Sequence, residues 1–162
     1  MSATLWFTPW KPGPAADIAP GASGGSDGKG QSGGNGRSGG GTDGAAVVSV
    51  TEFTPHRPLT ALGVTVEGIA LRRIWQDLEG AVGLWLWVDP DPFRPRSGSI
   101  SVWRTERDLH AFVGRRDHMR IVRSYRNRGS MRATTWQTDG FDMDATQEAA
   151  RALLSGRSAW PA

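Results

Sequence analysis

Cysteine is absent from this chain, which excludes disulfides, thiolate catalysis and cysteine-based metal sites. Histidine is nearly as scarce: His56, His110 and His118 are well separated in sequence, and their spacing does not suggest a zinc site. No run approaches the ~20 apolar residues of a membrane span. The first residues lack the charged start and apolar stretch of a secretory signal. A soluble cytoplasmic protein is the expectation that follows.

Glycine and tryptophan are what the chain has in plenty, with 22 and 8 copies among 162 residues. Between Gly21 and Gly44 half the positions are glycine and most others are small or polar. Such a stretch cannot bury enough apolar surface to offset an ordering cost of roughly 1–2 kcal/mol per residue. We therefore expect four parts: a short apolar segment over 1–10, a disordered linker over 11–45, one folded domain over 46–156 and a tail over 157–162. The first part holds Leu5, Trp6, Phe7 and Trp10, which either dock on the domain or lie free.

The formal charge is +3, but between Arg94 and Arg132 eleven arginines face only three acids. Five of them, Arg115, Arg116, Arg120, Arg123 and Arg126, fall mainly on the side of a helical pattern away from its apolar stripe, which is the mark of a solvated face. Aromatic residues do not interleave with these arginines, and no nucleic-acid motif is present, so nucleic acid is not the expected partner. The linker glycines are not a phosphate loop either, because neither GxxxxGK[ST] nor a strand-to-helix context accompanies them.

The order of elements follows from periodicity. Residues 46–53 have strand composition and end at Pro55 and Pro58. LGVTVEGI, 62–69, alternates and is β-branched, so it reads as a second short strand; which of the two opens the sheet is left undetermined. Leu71, Ile74, Trp75 and Leu78 then have the spacing of an amphipathic helix, stopped by Gly80. AVGLWLWV, 81–88, is a strand apolar on both faces, with Val82, Leu84, Leu86 and Val88 on one and Trp85 and Trp87 on the other. SGSISVWRT follows as an alternating strand. Thr105 is an N-cap for one long helix to about Arg128, MRATTWQT (131–138) is a further strand, and a helix over 145–154 buries Ala149, Ala150 and Leu153. The sum is an α+β chain with the split βαβ, ferredoxin-like order: a four-stranded antiparallel sheet with both helices on one face. Val82, Leu84, Leu86, Ile100 and Val102 should meet the helices. Trp85, Trp87, Ser99, Ser101, Trp103, Thr134 and Trp136 should share the open face.

The run from Ser99 to Gly129, with Ser101 and Trp103 ending a strand and Leu109, Phe112 and His118 on the following helix, resembles the second half of the dimeric α+β barrel superfamily. That superfamily includes the antibiotic-biosynthesis-monooxygenase-like domains, and the nearest resemblance is to spheroidene-monooxygenase-like and related bacterial proteins. The similarity extends weakly back to about Leu62 and forward to Trp136. It implies a homodimer whose open sheet faces close on each other. It also implies a small hydrophobic or aromatic ligand and, in some members, oxygenation without a cofactor. Haem is the alternative that the superfamily allows.

Among the candidate site residues, His118 shares its helix flank with Ile121, Val122 and Tyr125, so it should point inward as acid/base group or haem ligand. A histidine that merely ties helix to sheet is the plainer reading. His110 and His56 read as surface residues. Trp85, Trp87, Trp103 and Trp136 are expected to line the ligand cavity, joined by Tyr125 and by Arg132, which is placed to pair with a carboxylate. A non-enzymatic dimerisation or regulatory module is the alternative from another class.

Overall fold

The computed structural model describes residues 4–18 and 44–161; most of the expected linker, 19–43, lies outside the described residues. Two short strands, β1 (Trp6–Phe7) and β2 (Lys11–Pro12), precede a 3-10 turn at Ala16–Ile18. The domain proper runs β3 (Ala46–Pro55), α1 (Pro58–Arg73), β4 (Ala81–Asp89), β5 (Arg96–Trp103), α2 (Glu106–Val113), α3 (Arg116–Tyr125), β6 (Gly129–Thr138) and α4 (Met143–Leu154). The principal strands pair in the order β4-β5-β3-β6, all antiparallel. This is the ferredoxin-like arrangement expected from the sequence.

Four local expectations are corrected. The segment over 62–69 is not a strand but the middle of α1, which begins at Pro58, a residue suited to the first turn of a helix. Its β-branched residues carry only a weak preference, and the crossover from β3 to the non-adjacent β4 overrides it. Val64, Gly68 and Leu71 then lie at helical spacing towards the sheet, and the hydroxyl of Thr65 donates to the Ala61 carbonyl one turn back. The helix expected over 71–78 is the end of α1 followed by a 3-10 turn at Trp75–Asp77. The long helix expected from Thr105 to Arg128 is two helices, broken where Gly114 ends α2 and extended Arg115 starts α3. In α4 the buried side is Thr146, Ala150 and Leu154, one position away from the expected Ala149 and Leu153.

The face assignment also changes. Residues directly opposite each other in an antiparallel pair share a face. Leu84 pairs with Ser101, Leu86 with Ser99, Trp85 with Ile100 and Trp87 with Gly98. Hence Leu84, Leu86, Ser99, Ser101 and Trp103 face α1, α2 and α3, whereas Ile100 and Val102 lie on the opposite face with Trp85. A bulge between Ala81 and Gly83 moves Val82 to that opposite face as well. Apart from that bulge the alternation within each strand is as expected; the phase between strands is not.

That second face is not open. β1 and β2 extend the sheet by pairing with β4, and Leu5, Trp10 and Ala15 pack on it together with Phe141, Ala150 and Leu154. Trp10 lies 4.2 Å from Trp85 and stacks on Phe141. A Cβ on Gly83 would strike the Trp10 ring, so the strand has glycine where the indole crosses it. Residues 11–18 thus belong to the folded unit and not to the linker, and in the tail Trp160 packs against the same cluster. Truncating this indole leaves a hole beside Trp85. Full burial would make the cost ~3–5 kcal/mol; Trp10 is half-buried, and Trp10→Ala is expected to cost about 2 kcal/mol in a urea unfolding experiment.

Candidate functional site

Between the helix-covered face of the sheet and the helices α1 and α3 lies a cavity of about 430 Å³, within the size range of small-molecule sites. Its floor is Thr51 and Phe53 of β3, Leu86, Trp87 and Val88 of β4 and Ser97, Gly98 and Ser99 of β5. Val64, Thr65, Gly68 and Leu71 of α1 close one side. His118, Ile121, Val122 and Tyr125 of α3 close the other. Those four positions are spaced by three, one and three residues, so a single helical stripe presents them all. The break at Gly114 and Arg115 sets this stripe over the floor.

His118 is held rather than loose. Its Nδ1 lies 3.1 Å from the Val113 carbonyl, and its ring packs at 4.7 Å on Phe112. A carbonyl only accepts, so the neutral ring carries its proton on Nδ1 and keeps the Nε2 lone pair free. Burial lowers the pKa of His118 below its ordinary value, and the hydrogen bond to Val113 opposes this in part. The folded ring therefore disfavours the proton. Its neutral form contributes stability that is complete above the unfolded value near 6.5 and is lost as pH falls through the lower folded value. A histidine NMR titration is expected to give His118 a midpoint below 6.5.

Behind Phe112, Trp75 and Trp103 form an aromatic cluster with ring centroids 5.0 to 6.1 Å apart. Trp103 donates its Nε1–H to Ser101 at 3.0 Å. This ring is core, not cavity wall.

Of the residues expected at a site, His118 and Tyr125 come together here; Trp87 is part of the floor, but its ring packs in the cluster of Trp85 on the opposite face and donates its Nε1–H to the Thr51 carbonyl at 3.1 Å. Trp85, Trp103 and Trp136 do not line this cavity: Trp85 and Trp136 pack on the face covered by the N-terminal segment and α4, and Trp103 lies in the cluster just described. Arg132 is also elsewhere. It pairs with buried Glu52 at 3.0 Å and covers the Trp160 ring at 4.2 Å, meeting the carboxylate it was expected to find within its own chain. The lining missed in the sequence includes Thr51, Thr65, Ser97 and the apolar residues of α1. The signal for the serines is visible as Ser97, Ser99 and Ser101 on alternate positions, but the sequence pattern places Ser99 and Ser101 on the open face and gives Ser97 no face. The arginines Arg115, Arg116, Arg120 and Arg123 line a shallow groove on the outer side of α3.

Among the described residues no group of His, Asp or Glu is arranged to hold a metal ion, and no helix is long and apolar enough to cross a membrane. Haem, if bound, would be held through the Nε2 of His118 at the cavity wall.

No family model matches the chain, and no curated protein is similar to it. Solved structures of similar fold exist. SnoaB, a cofactor-independent oxygenase from Streptomyces nogalater, is 17% identical with a TM-score of 0.47 over 60% of this chain and 96% of its own. A protein from Bacteroides thetaiotaomicron, described as of unknown function and a possible oxidoreductase, is 11% identical with a TM-score of 0.49 over 57% of this chain and 98% of its own. These likenesses concern the fold alone.

Proposed function

We propose that the cavity binds a small, largely hydrophobic aromatic molecule and that the chain is a monooxygenase-type enzyme working without a cofactor, with His118 as its base. The observation that carries this reading is a neutral imidazole fixed through Nδ1, with Nε2 unused by the described residues, at the wall of an apolar cavity. A base whose pKa burial holds below its ordinary value is neutral at pH 7 and so free to accept a phenolic proton there.

The reaction balances with molecular oxygen as the only oxidant. His118 takes the hydroxyl proton of a phenol, and the phenolate passes an electron to oxygen. The radical pair joins in a carbon–oxygen bond, and the resulting hydroperoxide loses water to leave a carbonyl. For 1-naphthol the sum is one naphthol and one oxygen giving one naphthoquinone and one water. The substrate supplies the electrons, so no dinucleotide is required.

An oxygen electrode tests this with 1-naphthol, chelator present and no flavin or nicotinamide added. Consumption of one oxygen per quinone formed supports the reading, and uptake that requires an added reductant overturns it. Light scattering tests the homodimer separately. Because the chain's own segment covers the tryptophan face, a second copy must pair with that segment in place or exchanged, and a mass twice 17.4 kDa is the result if it does.

A further inference from the structure

Of the three serine hydroxyls that β5 turns to the helix-covered face of the sheet, those of Ser97, Ser99 and Ser101, only that of Ser97 has no partner among the described residues. Ser101 accepts the indole N–H of Trp103 at 3.0 Å. Ser99 and Thr51 share a hydrogen bond of 2.9 Å, and the Ser99 backbone N–H donates to the same Thr51 oxygen at 3.1 Å. Ser97, on the same face of β5 and lining the cavity, is 7% exposed and its Oγ has no partner among the described residues. Buried hydroxyls without a partner are uncommon because desolvating them is unfavourable, and one beside a cavity marks the place where something else completes the bond.

Its location sets what that something is. Ser97 pairs with Phe53 across the sheet, and Phe53 packs edge-on against Tyr125 at 6.1 Å. Tyr125 is two helical turns from His118, about 10 Å along α3. Ser97 and His118 therefore serve opposite ends of the same space. The strands around Ser97 carry no cation that lines the cavity; Arg126 at the end of α3 and Glu67 of α1 also line it with opposite charges, and a single hydroxyl suits a neutral oxygen better than an anion.

We propose that Ser97 is the specificity-determining anchor of this cavity: its Oγ hydrogen-bonds a hydroxyl or carbonyl oxygen at the far end of a bound aromatic molecule from the group that meets His118. The inference rests on the proposed use of the cavity and adds the chemistry of its second end. The ligand class is an aromatic with two oxygens at opposite ends, of which one is recognised and one reacts.

The test measures binding of naphthalene-1,5-diol and 1-naphthol to the full chain without oxygen. The diol is expected to bind about 10-fold more tightly, the effect of one hydrogen bond. In Ser97→Ala the diol should fall to the affinity of 1-naphthol, which itself should not change, and Ser97→Thr should keep part of the preference. The melting temperature of Ser97→Ala should stay level or rise, since an unpaired hydroxyl is removed. Equal binding of the two probes by the parent chain, an equal loss of both in Ser97→Ala, or a lowered melting temperature overturns the assignment of Ser97 alone. Failure of both probes to bind the parent chain overturns the use of the cavity and this inference with it.

Discussion

His118→Gln is expected to slow oxygen uptake with 1-naphthol by about 10²- to 10⁴-fold, the usual contribution of a positioned general base. That range corresponds to roughly 3–5 kcal/mol of transition-state stabilisation. Glutamine has a similar reach and can still donate to the Val113 carbonyl, but it cannot take a proton near neutral pH. The loss should therefore fall on kcat, with KM little changed. The pH profile supplies the second readout. In the parent chain the rate should rise with pH through a value below 6.5, because burial holds the His118 pKa below its ordinary position and only the neutral ring accepts a proton. In His118→Gln this limb should vanish. A variant that keeps the limb, or loses only stability, would show that the ring ties α3 to α2 and does nothing more.

The other large effect concerns stability. Glu52 is buried on the face opposite the cavity, with one carboxylate oxygen 3.0 Å from Arg96 and the other 3.0 Å from Arg132. Arg96 also bonds Asp89 through two nitrogens and donates to the Leu154 carbonyl at 3.0 Å. That carbonyl belongs to the last turn of α4, where the helix itself provides no partner. One carboxylate thus helps place an arginine that holds two strands and a helix end. Glu52→Ala is expected to lower unfolding free energy in urea by about 2–3 kcal/mol, because the buried carboxylate that bridges two arginines is lost while Arg96 keeps Asp89 as its counter-ion. Arg132→Met should cost about 1 kcal/mol or less, since the Arg132 side chain is 49% exposed and solvent screens its pairing. Similar losses in the two variants would contradict the cluster as described. Because the cluster is on the far side of the sheet, His118 chemistry in folded Glu52→Ala should be unaltered.

The sequence made the element order legible because most of the elements carry undiluted periodicity. Ile100 and Val102 alternate cleanly with serines, and Thr105 does cap α2, its side chain accepting from the Asp108 N–H. His118, Ile121, Val122 and Tyr125 form a stripe that any helix would present on one side, so the heart of the site was visible too. Other features depend on partners distant in sequence. Whether Leu84 meets Ser101 or Ile100 is decided by register, and a single bulge at Val82 resets it. The helical nature of α1 was hidden because valines and threonine at alternate positions mimic a strand, and none of its residues is fully buried. The role of the first residues was hidden for another reason. Trp10 and Ala15 stand next to a glycine-rich stretch, yet both pack on the sheet, where they cover the tryptophans that sequence assigned to a partner or a ligand.

The most direct test is the imidazole NMR spectrum of the full chain, carrying ¹⁵N-labelled histidine, titrated with 1-naphthol at pH 7.5 without oxygen. The prediction is an unprotonated Nε2 at His118 and a saturable shift of that signal alone, with His56 and His110, both on the surface, unmoved. Binding of 1-naphthol that leaves the His118 signal in place would contradict a site built from this cavity and this base.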